Sequence, residues 1–246
     1  MPLQILTYTH HLTTMLFGIF LSAFFLGVKQ NKKNVCILLS GGAVSGLFFL
    51  ICNTVFGSLF TEAVYPIFVH LPLFLLLVFY YRFRWLPSII SIMTAYLCCQ
   101  FSNWAGIFAL SLSGLDWVYY LVRIIVTVAV FAFLSRYLCQ TTALLLAKSN
   151  RELYILGAMP FVYYVFDYST TKFSMLLYSG NKVVVEFLAF AMCISYVIFL
   201  FVYFQEYELK NRAEQYGQLT NMHLNSLHSE IEQVRSSEHR MKILRH

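Results

Sequence analysis

Seven separate apolar runs constrain this chain more than any other feature. A helix that crosses the ~30 Å hydrocarbon layer of a bilayer needs about 20 apolar residues, and each run approaches or exceeds that length. The runs are 12–28, 35–56, 63–81, 86–110, 117–138, 153–171 and 183–204. The chain is 59% hydrophobic and only 11% charged, which is unlike a soluble domain. We therefore predict an all-α fold in which residues 1–204 form a polytopic bundle of seven transmembrane helices.

Basic residues collect in alternate loops of this predicted bundle. One set of loops contains Lys29, Lys32, Lys33, Arg82, Arg84, Arg136, Lys148 and Arg151, whereas the other contains only Lys172 and Lys182. Short loops rich in lysine and arginine stay in the cytoplasm during insertion. The pattern predicts that the N-terminus lies outside and the C-terminus inside. The first run is expected to stay as a helix, because residues 1–11 lack the basic residues of a signal peptide.

The net charge of +6 does not indicate nucleic-acid binding. The segment 205–246 has six basic and six acidic residues, so the excess belongs to the membrane part. Topology and contact with anionic lipid account for it. The six cysteines lack the spacing of metal ligands and are interpreted as small apolar residues of the helices, so no metal site is predicted.

Several polar residues fall within the apolar runs, where they are costly and tend to face partners or a water-filled cavity. On the predicted orientation they lie between the middle and the outer end of their helices. The outer loops are too short to form a domain, so an extracellular ligand would have to bind in the bundle itself. The ligand-binding candidates are His70, Asn103, Arg123, Asp167 and Glu186.

Each candidate has a structural alternative. An ion pair between Arg123 and Asp167 fits their predicted depths, but both side chains could instead extend to the membrane surface. Glu186 follows Lys182 at the i,i+4 spacing of a surface pair. His70 precedes Pro72, which frees a backbone carbonyl that the imidazole could satisfy.

The composition changes at Gln205 to polar and charged helix formers without proline. We predict that residues 205–246 form a cytoplasmic coiled-coil helix that dimerises with a second copy. The predicted seam contains Leu209, Ala213, Tyr216, Thr220, His223 and Leu227, and resumes at Ile231 and Val234 after one lengthened step. Polar seam residues and Gly217 weaken the coil, as a switch between two packings requires. An inert dimerisation stalk is the alternative.

The last nine residues, EHRMKILRH, resemble the start of the phosphoacceptor box of GHKL-type sensor histidine kinases, the peptide-quorum-sensor class of Gram-positive bacteria. The general plan of bundle, linker helix and terminal box is similar along the whole chain, and Leu244, Arg245 and His246 overlap the motif itself. The resemblance implies a bacterial plasma-membrane protein in which His246 accepts the γ-phosphoryl group of ATP and passes it to a response regulator. It also implies that ATP and Mg²⁺ bind a catalytic domain beyond these 246 residues, so this chain is expected to be a fragment without a cofactor of its own.

Two other classes of protein stay open. A small multi-pass transporter would explain the outward-lying polar residues, although the odd number of runs, the lack of an internal repeat and the charged segment 205–246 disfavour it. A non-enzymatic receptor or decoy that dimerises with a full-length kinase fits the same sequence. The identity of the ligand, and whether it activates or inhibits, does not follow from the residues.

Overall fold

The computed structural model describes residues 2–57, 60–61, 64, 66–172 and 182–243. This part of the chain is helical and contains no strand, which confirms the predicted all-α class. The helices are α1 (Pro2–Phe25), α2 (Lys32–Phe56), α3 (Pro66–Tyr80), α4 (Trp85–Cys98), α5 (Gln100–Ser113), α6 (Asp116–Tyr137), α7 (Cys139–Leu146), α8 (Asn150–Lys172) and α9 (Lys182–Ile243).

Four stretches of the described helices are long and apolar enough to cross a membrane. They are Lys32–Phe56, Trp85–Ser113, Asp116–Tyr137 and a part of Phe190–Arg235. The chain therefore has the character of a membrane protein. The described residues of α1, α3 and α8 do not meet the same criterion, so seven crossings stay a prediction.

Helix α1 begins about three turns earlier than its apolar run, at Pro2. In its polar first half, threonine hydroxyls donate to carbonyls one turn back. Thr7 donates to the carbonyl of Leu3 at 2.9 Å, and Thr13 donates to that of Thr9 at 2.7 Å. These internal bonds satisfy polar groups that would otherwise be costly in an apolar setting.

Helix α3 is shorter and less regular than its apolar run. A short α-helical segment, Leu71–Leu75, lies between two π-helical turns, Pro66–His70 and Leu76–Tyr80. Pro72 has no backbone N–H and cannot continue the regular ladder of hydrogen bonds. Wider turns of this kind are frequent at functional positions in helices.

Helix α7 is an element that the sequence did not predict. Residues 139–146 were treated as part of a loop, but Cys139, Leu145 and Leu146 are buried in the structure. The helix packs against the end of α1, where the Cα of Gly27 is so close to Ala143 that an added Cβ would lie 3.4 Å from the alanine methyl. A helix of eight residues is too short to give a distinct signal as a membrane span.

In three pairs of helices, the side-chain contacts show that successive apolar runs are antiparallel and that runs an even number apart are parallel. Gly42 and Gly46 of α2 lie against Ile19 and Met15 of α1, in antiparallel order. The rings of His10 and Phe24 of α1 meet those of Tyr120 and Phe131 of α6, in parallel order. Helices α4 and α8 are parallel, with Ile90 near Gly157 and Tyr96 near Tyr163. This alternation is what a chain that crosses a membrane repeatedly requires.

The buried core lies around α4, which packs against α1 and α8. The hydroxyl of Ser91 donates to the carbonyl of Ser22 in α1 at 2.5 Å. The largest fully buried side chain is that of Tyr163, and Leu97 and Leu156 are also enclosed. These three helices form the scaffold on which the polar residues described below are placed.

The chain divides into two compact units, Met1–Ile198 and Phe199–His246. The second unit is helical through Ile243, and Glu208 forms an ion pair with Arg212 at 3.3 Å. From Leu209 to Val234, the large apolar side chains of this unit are exposed. They are Leu209, Tyr216, Leu219, Met222, Leu224, Leu227, Ile231 and Val234. The predicted coiled-coil dimer needs such side chains but stays a prediction, because the structure contains one chain.

Candidate functional site

The structure places four of the predicted site residues on different helices of the first unit. His70 ends the first π-helical turn of α3, Asn103 lies in α5, Arg123 in α6 and Asp167 in α8. The side chain of Glu186 and the whole of His246, the predicted phosphoacceptor, lie outside the described residues.

His70 and Asp167 come together through tyrosines. The Nδ1 atom of His70 is hydrogen-bonded to the hydroxyl of Tyr164 at 2.9 Å, and the imidazole meets the ring of Tyr96 edge-on at 5.7 Å. The hydroxyl of Tyr96 donates to Oδ2 of Asp167 at 2.6 Å. We call His70, Tyr96, Tyr163, Tyr164 and Asp167 the His–Tyr cluster. It joins α3, α4 and α8 in one polar network.

The His–Tyr cluster is partly enclosed, because His70, Tyr96 and Tyr164 are half-buried and the other two members are buried. Asp167 is 8% exposed and Tyr163 is fully buried. A hydrogen bond of this length from a hydroxyl to a carboxyl group is among the stronger kinds, and an unpaired member would be costly in such a place. The structural alternative for His70 is a bond from its imidazole to the carbonyl freed by Pro72, and the structure shows a bond between Nδ1 and the hydroxyl of Tyr164.

Gly157 and Pro160 of α8 determine how the neighbouring helices approach. A Cβ at position 157 would lie 2.7 Å from Cγ1 of Ile90, so only glycine permits this contact between α4 and α8. Pro160 cannot donate to the carbonyl of Leu156, four residues earlier. The hydroxyl of Tyr196 in α9 donates to that carbonyl at 3.1 Å. The last helix of the bundle therefore satisfies an acceptor that the proline leaves open.

Helix α9 has a second polar attachment to the scaffold. The thiol of Cys193 donates to the carbonyl of Leu97 in α4 at 3.2 Å. The ring of Phe190 stacks on that of Trp104 in α5, with the centroids 5.0 Å apart. Together with Tyr196, these residues give α9 a defined position against α4, α5 and α8.

Arg123 belongs to a separate group of residues in α1, α5 and α6. Its Nη1 atom donates to the hydroxyl of Tyr119, and its guanidinium carbon lies 5.1 Å from the centre of the Tyr119 ring. Gly106 of α5 packs against the aliphatic part of Arg123. His10 of α1 lies against Tyr120 at 5.8 Å. We call His10, Gly106, Tyr119, Tyr120 and Arg123 the arginine cluster.

The predicted ion pair between Arg123 and Asp167 does not occur among the residues that the structure describes. Arg123 contacts Tyr119, and Asp167 contacts Tyr96. Asn103 is hydrogen-bonded to Gln100 of its own helix at 3.3 Å. The candidates therefore divide between two places rather than lining one cavity.

Two features of the sequence indicate the tyrosines of the His–Tyr cluster, which are not among the predicted site residues. Tyr163 and Tyr164 precede Asp167 by one helical turn, so a face of α8 carries two hydroxyls beside a carboxyl group. Tyr96 lies well inside the fourth apolar run rather than at its end. A tyrosine at that depth needs a hydrogen-bond partner, unlike one at the headgroup level.

Two of the loops predicted to lie on the cytoplasmic side meet in the structure. Arg84 donates to the carbonyl of Lys148 at 3.1 Å and also to Oδ1 of Asn150. Lys148 forms an ion pair with Glu152 at 3.6 Å. The hydroxyl of Ser149 donates to Glu152 and, with Lys148, lowers the pKa of that carboxyl group. Both loops therefore lie at the same end of the bundle, as the charge pattern requires.

Comparison with known protein families, with curated proteins and with solved structures finds no match to this chain.

Proposed function

We propose that this chain is the membrane sensor and linker part of a two-component histidine kinase. In this proposal a small or peptide-like extracellular ligand binds within the bundle and controls phosphorylation of a cytoplasmic histidine. The N-terminus lies outside, the C-terminus lies in the cytoplasm, and the protein resides in a bacterial plasma membrane.

One observation supports this proposal above the others. Helix α9 runs from Lys182 to Ile243 without a break. It contains Cys193 and Tyr196, which bond to backbone carbonyls of α4 and α8, and it also contains the exposed charged residues that follow Gln205. A change in the packing of the bundle can therefore act on the linker through one continuous element.

The His–Tyr cluster is proposed to transmit that change to α9. It joins α3 to α4 and α8, the two helices that hold α9. A ligand that altered the position of His70 or Asp167 would alter the packing between these helices. Buried polar residues in membrane bundles often mark such functional positions.

Dimerisation follows from the exposed apolar side chains of the second unit. Leu209, Tyr216, Leu227, Ile231 and Val234 lie on the predicted seam and are exposed in a single chain. A long polar helix gains stability when such side chains pack against a second copy. Parallel pairing would place two linkers side by side, as phosphorylation between the subunits of a dimer requires.

In the proposed reaction, a neutral imidazole nitrogen of His246 attacks the γ-phosphorus of ATP, and ADP leaves. The resulting phosphohistidine transfers its phosphoryl group to an aspartate of a response regulator. ATP and Mg²⁺ are proposed to bind a separate catalytic domain. In this proposal, the residues of the His–Tyr cluster and of the arginine cluster take no direct part in the phosphoryl transfer.

Labelling of the complete gene product tests the proposal. Membranes that contain it are incubated with ATP labelled at the γ-phosphate, and the variants His246→Gln and His239→Gln are compared. We expect the first to abolish labelling and the second to retain it, because His239 lacks the preceding Leu-Arg pair. Labelling that survives His246→Gln would reject His246 as the acceptor, and a gene that stops at codon 246 would favour the decoy.

A transporter is the second candidate, and the burial of Asp167 favours it. Enclosed carboxyl groups in membrane helices are common in ion and proton pathways. Sealed vesicles that contain this chain alone would then take up a substrate or protons in a saturable manner, and Asp167→Asn would abolish uptake. The absence of uptake together with labelling at His246 would favour the sensor.

A further inference from the structure

Arg123 is a half-buried cation whose described neighbours include no acidic partner. It lies seven residues after Asp116 on α6, which is about 10 Å along a helix axis. Its hydrogen bond goes to Tyr119, and no carboxylate lies within ion-pair distance of it among the residues that the structure describes. A charged group in an apolar setting is costly unless an opposite charge or several acceptors surround it.

The side chain of Arg123 packs closely against Gly106 and Tyr119. Gly106 of α5 faces its aliphatic part, and a Cβ at position 106 would lie 2.8 Å from Cδ of the arginine. The ring of Tyr119 covers one face of the guanidinium group. Position 106 therefore needs a glycine, and Arg123 points between α5 and α6 rather than toward lipid.

Two polar atoms in this place lack partners. Nε of Arg123 is buried and donates to no acceptor in the described part of the chain. Thr127, one turn further along the same face of α6, is 3% exposed, and its hydroxyl also has no partner. A threonine in a helix can donate to the carbonyl four residues back, as Thr142 does, but Thr127 does not.

The free edge of the guanidinium group matches an oxyanion. With Nη1 committed to Tyr119, the Nε and Nη2 atoms form the edge that binds carboxylates through two parallel hydrogen bonds. His10 is 3% exposed and lies within electrostatic range of Arg123. Its imidazole adds no negative charge to the group. The arginine cluster is thus rich in donors and lacks an acceptor with a full charge.

We propose that Arg123 binds a carboxylate of the extracellular ligand, with Thr127 as a second donor. This inference rests on the proposed sensor function and names the ligand's chemical class. Lipid phosphate has the same hydrogen-bonding chemistry, but Arg123 lies below the start of α6 and faces α5. Leu121, Ile125 and Val128 form the exposed apolar face of the same helix and are the residues available to lipid.

The test uses the 246-residue chain in nanodiscs of uncharged lipid and a defined probe. Binding of 4-fluorophenylacetate is followed by fluorine NMR, with 4-fluorophenylacetamide as the uncharged counterpart. We expect saturable binding of the acid and none of the amide. Arg123→Gln should weaken binding about tenfold or more, which corresponds to the loss of a charge-assisted hydrogen bond.

The matched control is Arg136→Gln, which removes an arginine that also lies over a tyrosine, at the other end of α6. It should leave binding unchanged. Gly106→Ala keeps the charge but displaces the side chain, so it should weaken binding even if Arg123→Gln fails to fold. Equal binding of acid and amide, no saturable binding of the acid, or unchanged binding in both Arg123→Gln and Gly106→Ala would overturn the proposal.

Anionic lipid is a separate arm of the same experiment. Two results together would reject the proposal: nanodiscs containing phosphatidylglycerol suppress binding of the acid in the wild type through Arg123, and the acid alone never saturates the site. In that case lipid, rather than the ligand, is the partner of Arg123. The binding assay does not depend on phosphorylation. Carboxylate binding without labelling at His246 would therefore reject the kinase function and support the binding site. Labelling at His246 without carboxylate binding would support the kinase function and reject the binding site.

Discussion

The His–Tyr cluster and the arginine cluster have similar residues but differ in what their polar groups contact. In the first, His70 pairs with Tyr164 and Tyr96 pairs with Asp167, and the bonds run between helices. In the second, Arg123 bonds within its own helix to Tyr119, and Nε and the nearby Thr127 hydroxyl lack acceptors. The first cluster therefore stabilises the bundle, whereas the second is a place that a ligand can complete.

The largest effect is expected where the His–Tyr cluster depends on close helix packing. Gly157→Ala would place a methyl group against Ile90 and push α4 from α8, which should lower the free energy of unfolding by about 1–3 kcal/mol. Thermal unfolding in mild detergent measures the change. Gly18→Ala is the control, because nothing lies within 4 Å of its added Cβ. Equal effects would show that the contact at Gly157 does not determine the packing.

Removal of one hydroxyl from the His–Tyr cluster should have the next largest effect. Tyr96→Phe keeps the ring against His70 but removes the donor to Asp167, so we expect a loss of about 1–2 kcal/mol. Tyr137→Phe, at an exposed position on α6, should change the free energy of unfolding by less than about 0.5 kcal/mol. A Tyr96→Phe protein as stable as the wild type would mean that the network is not structural.

The arginine cluster should respond in the opposite direction. Thr127→Val removes a buried hydroxyl without a partner, so the free energy of unfolding should stay the same or rise by about 0.5–1 kcal/mol. Thr142→Val removes a hydroxyl that donates to the carbonyl of Leu138 and should lower it by about 1 kcal/mol. If both variants lose stability equally, Thr127 has a partner and the contrast between the clusters fails.

The smallest effect belongs to a loop outside both clusters. Because hydrogen bonding from Ser149 lowers the pKa of Glu152 below its ordinary value of 4.5, the contact stabilises the folded state above that pH. The stabilisation is lost as the pH falls through the lowered pKa. Glu152→Gln should remove this part of the pH dependence in unfolding experiments between neutral and acidic pH. An unchanged pH profile would show that the exposed contact contributes nothing.

The sequence predicts the helices better than their ends. Apolar runs located every long helix of the bundle because lipid requires long unbroken apolar segments. They missed the first residues of α1, where threonine hydroxyls donate to carbonyls of the same helix. They also missed the whole of α7, which is too short to resemble a membrane span. The π-helical turns of α3 depend on how the chain adjusts around Pro72, which a pattern of apolar residues does not record.

The candidate sites were predictable one residue at a time but not as pairs. Depth along each helix identified His70, Arg123 and Asp167 as unusual, and all three have notable contacts. Depth alone also favoured the predicted ion pair between Arg123 and Asp167. Which helices touch depends on small residues such as Gly106 and Gly157, whose partners a single sequence does not reveal.

The bond between Tyr196 and the Leu156 carbonyl has a consequence for how far α9 can travel. A sliding movement of α9 along its axis would separate the Tyr196 hydroxyl from the Leu156 carbonyl, and an acceptor that loses its donor in an apolar setting is costly. The cost of about 1 kcal/mol favours one position of α9 along its axis. In the proposed sensor, the free energy of ligand binding would have to offset this cost before α9 could shift along its axis.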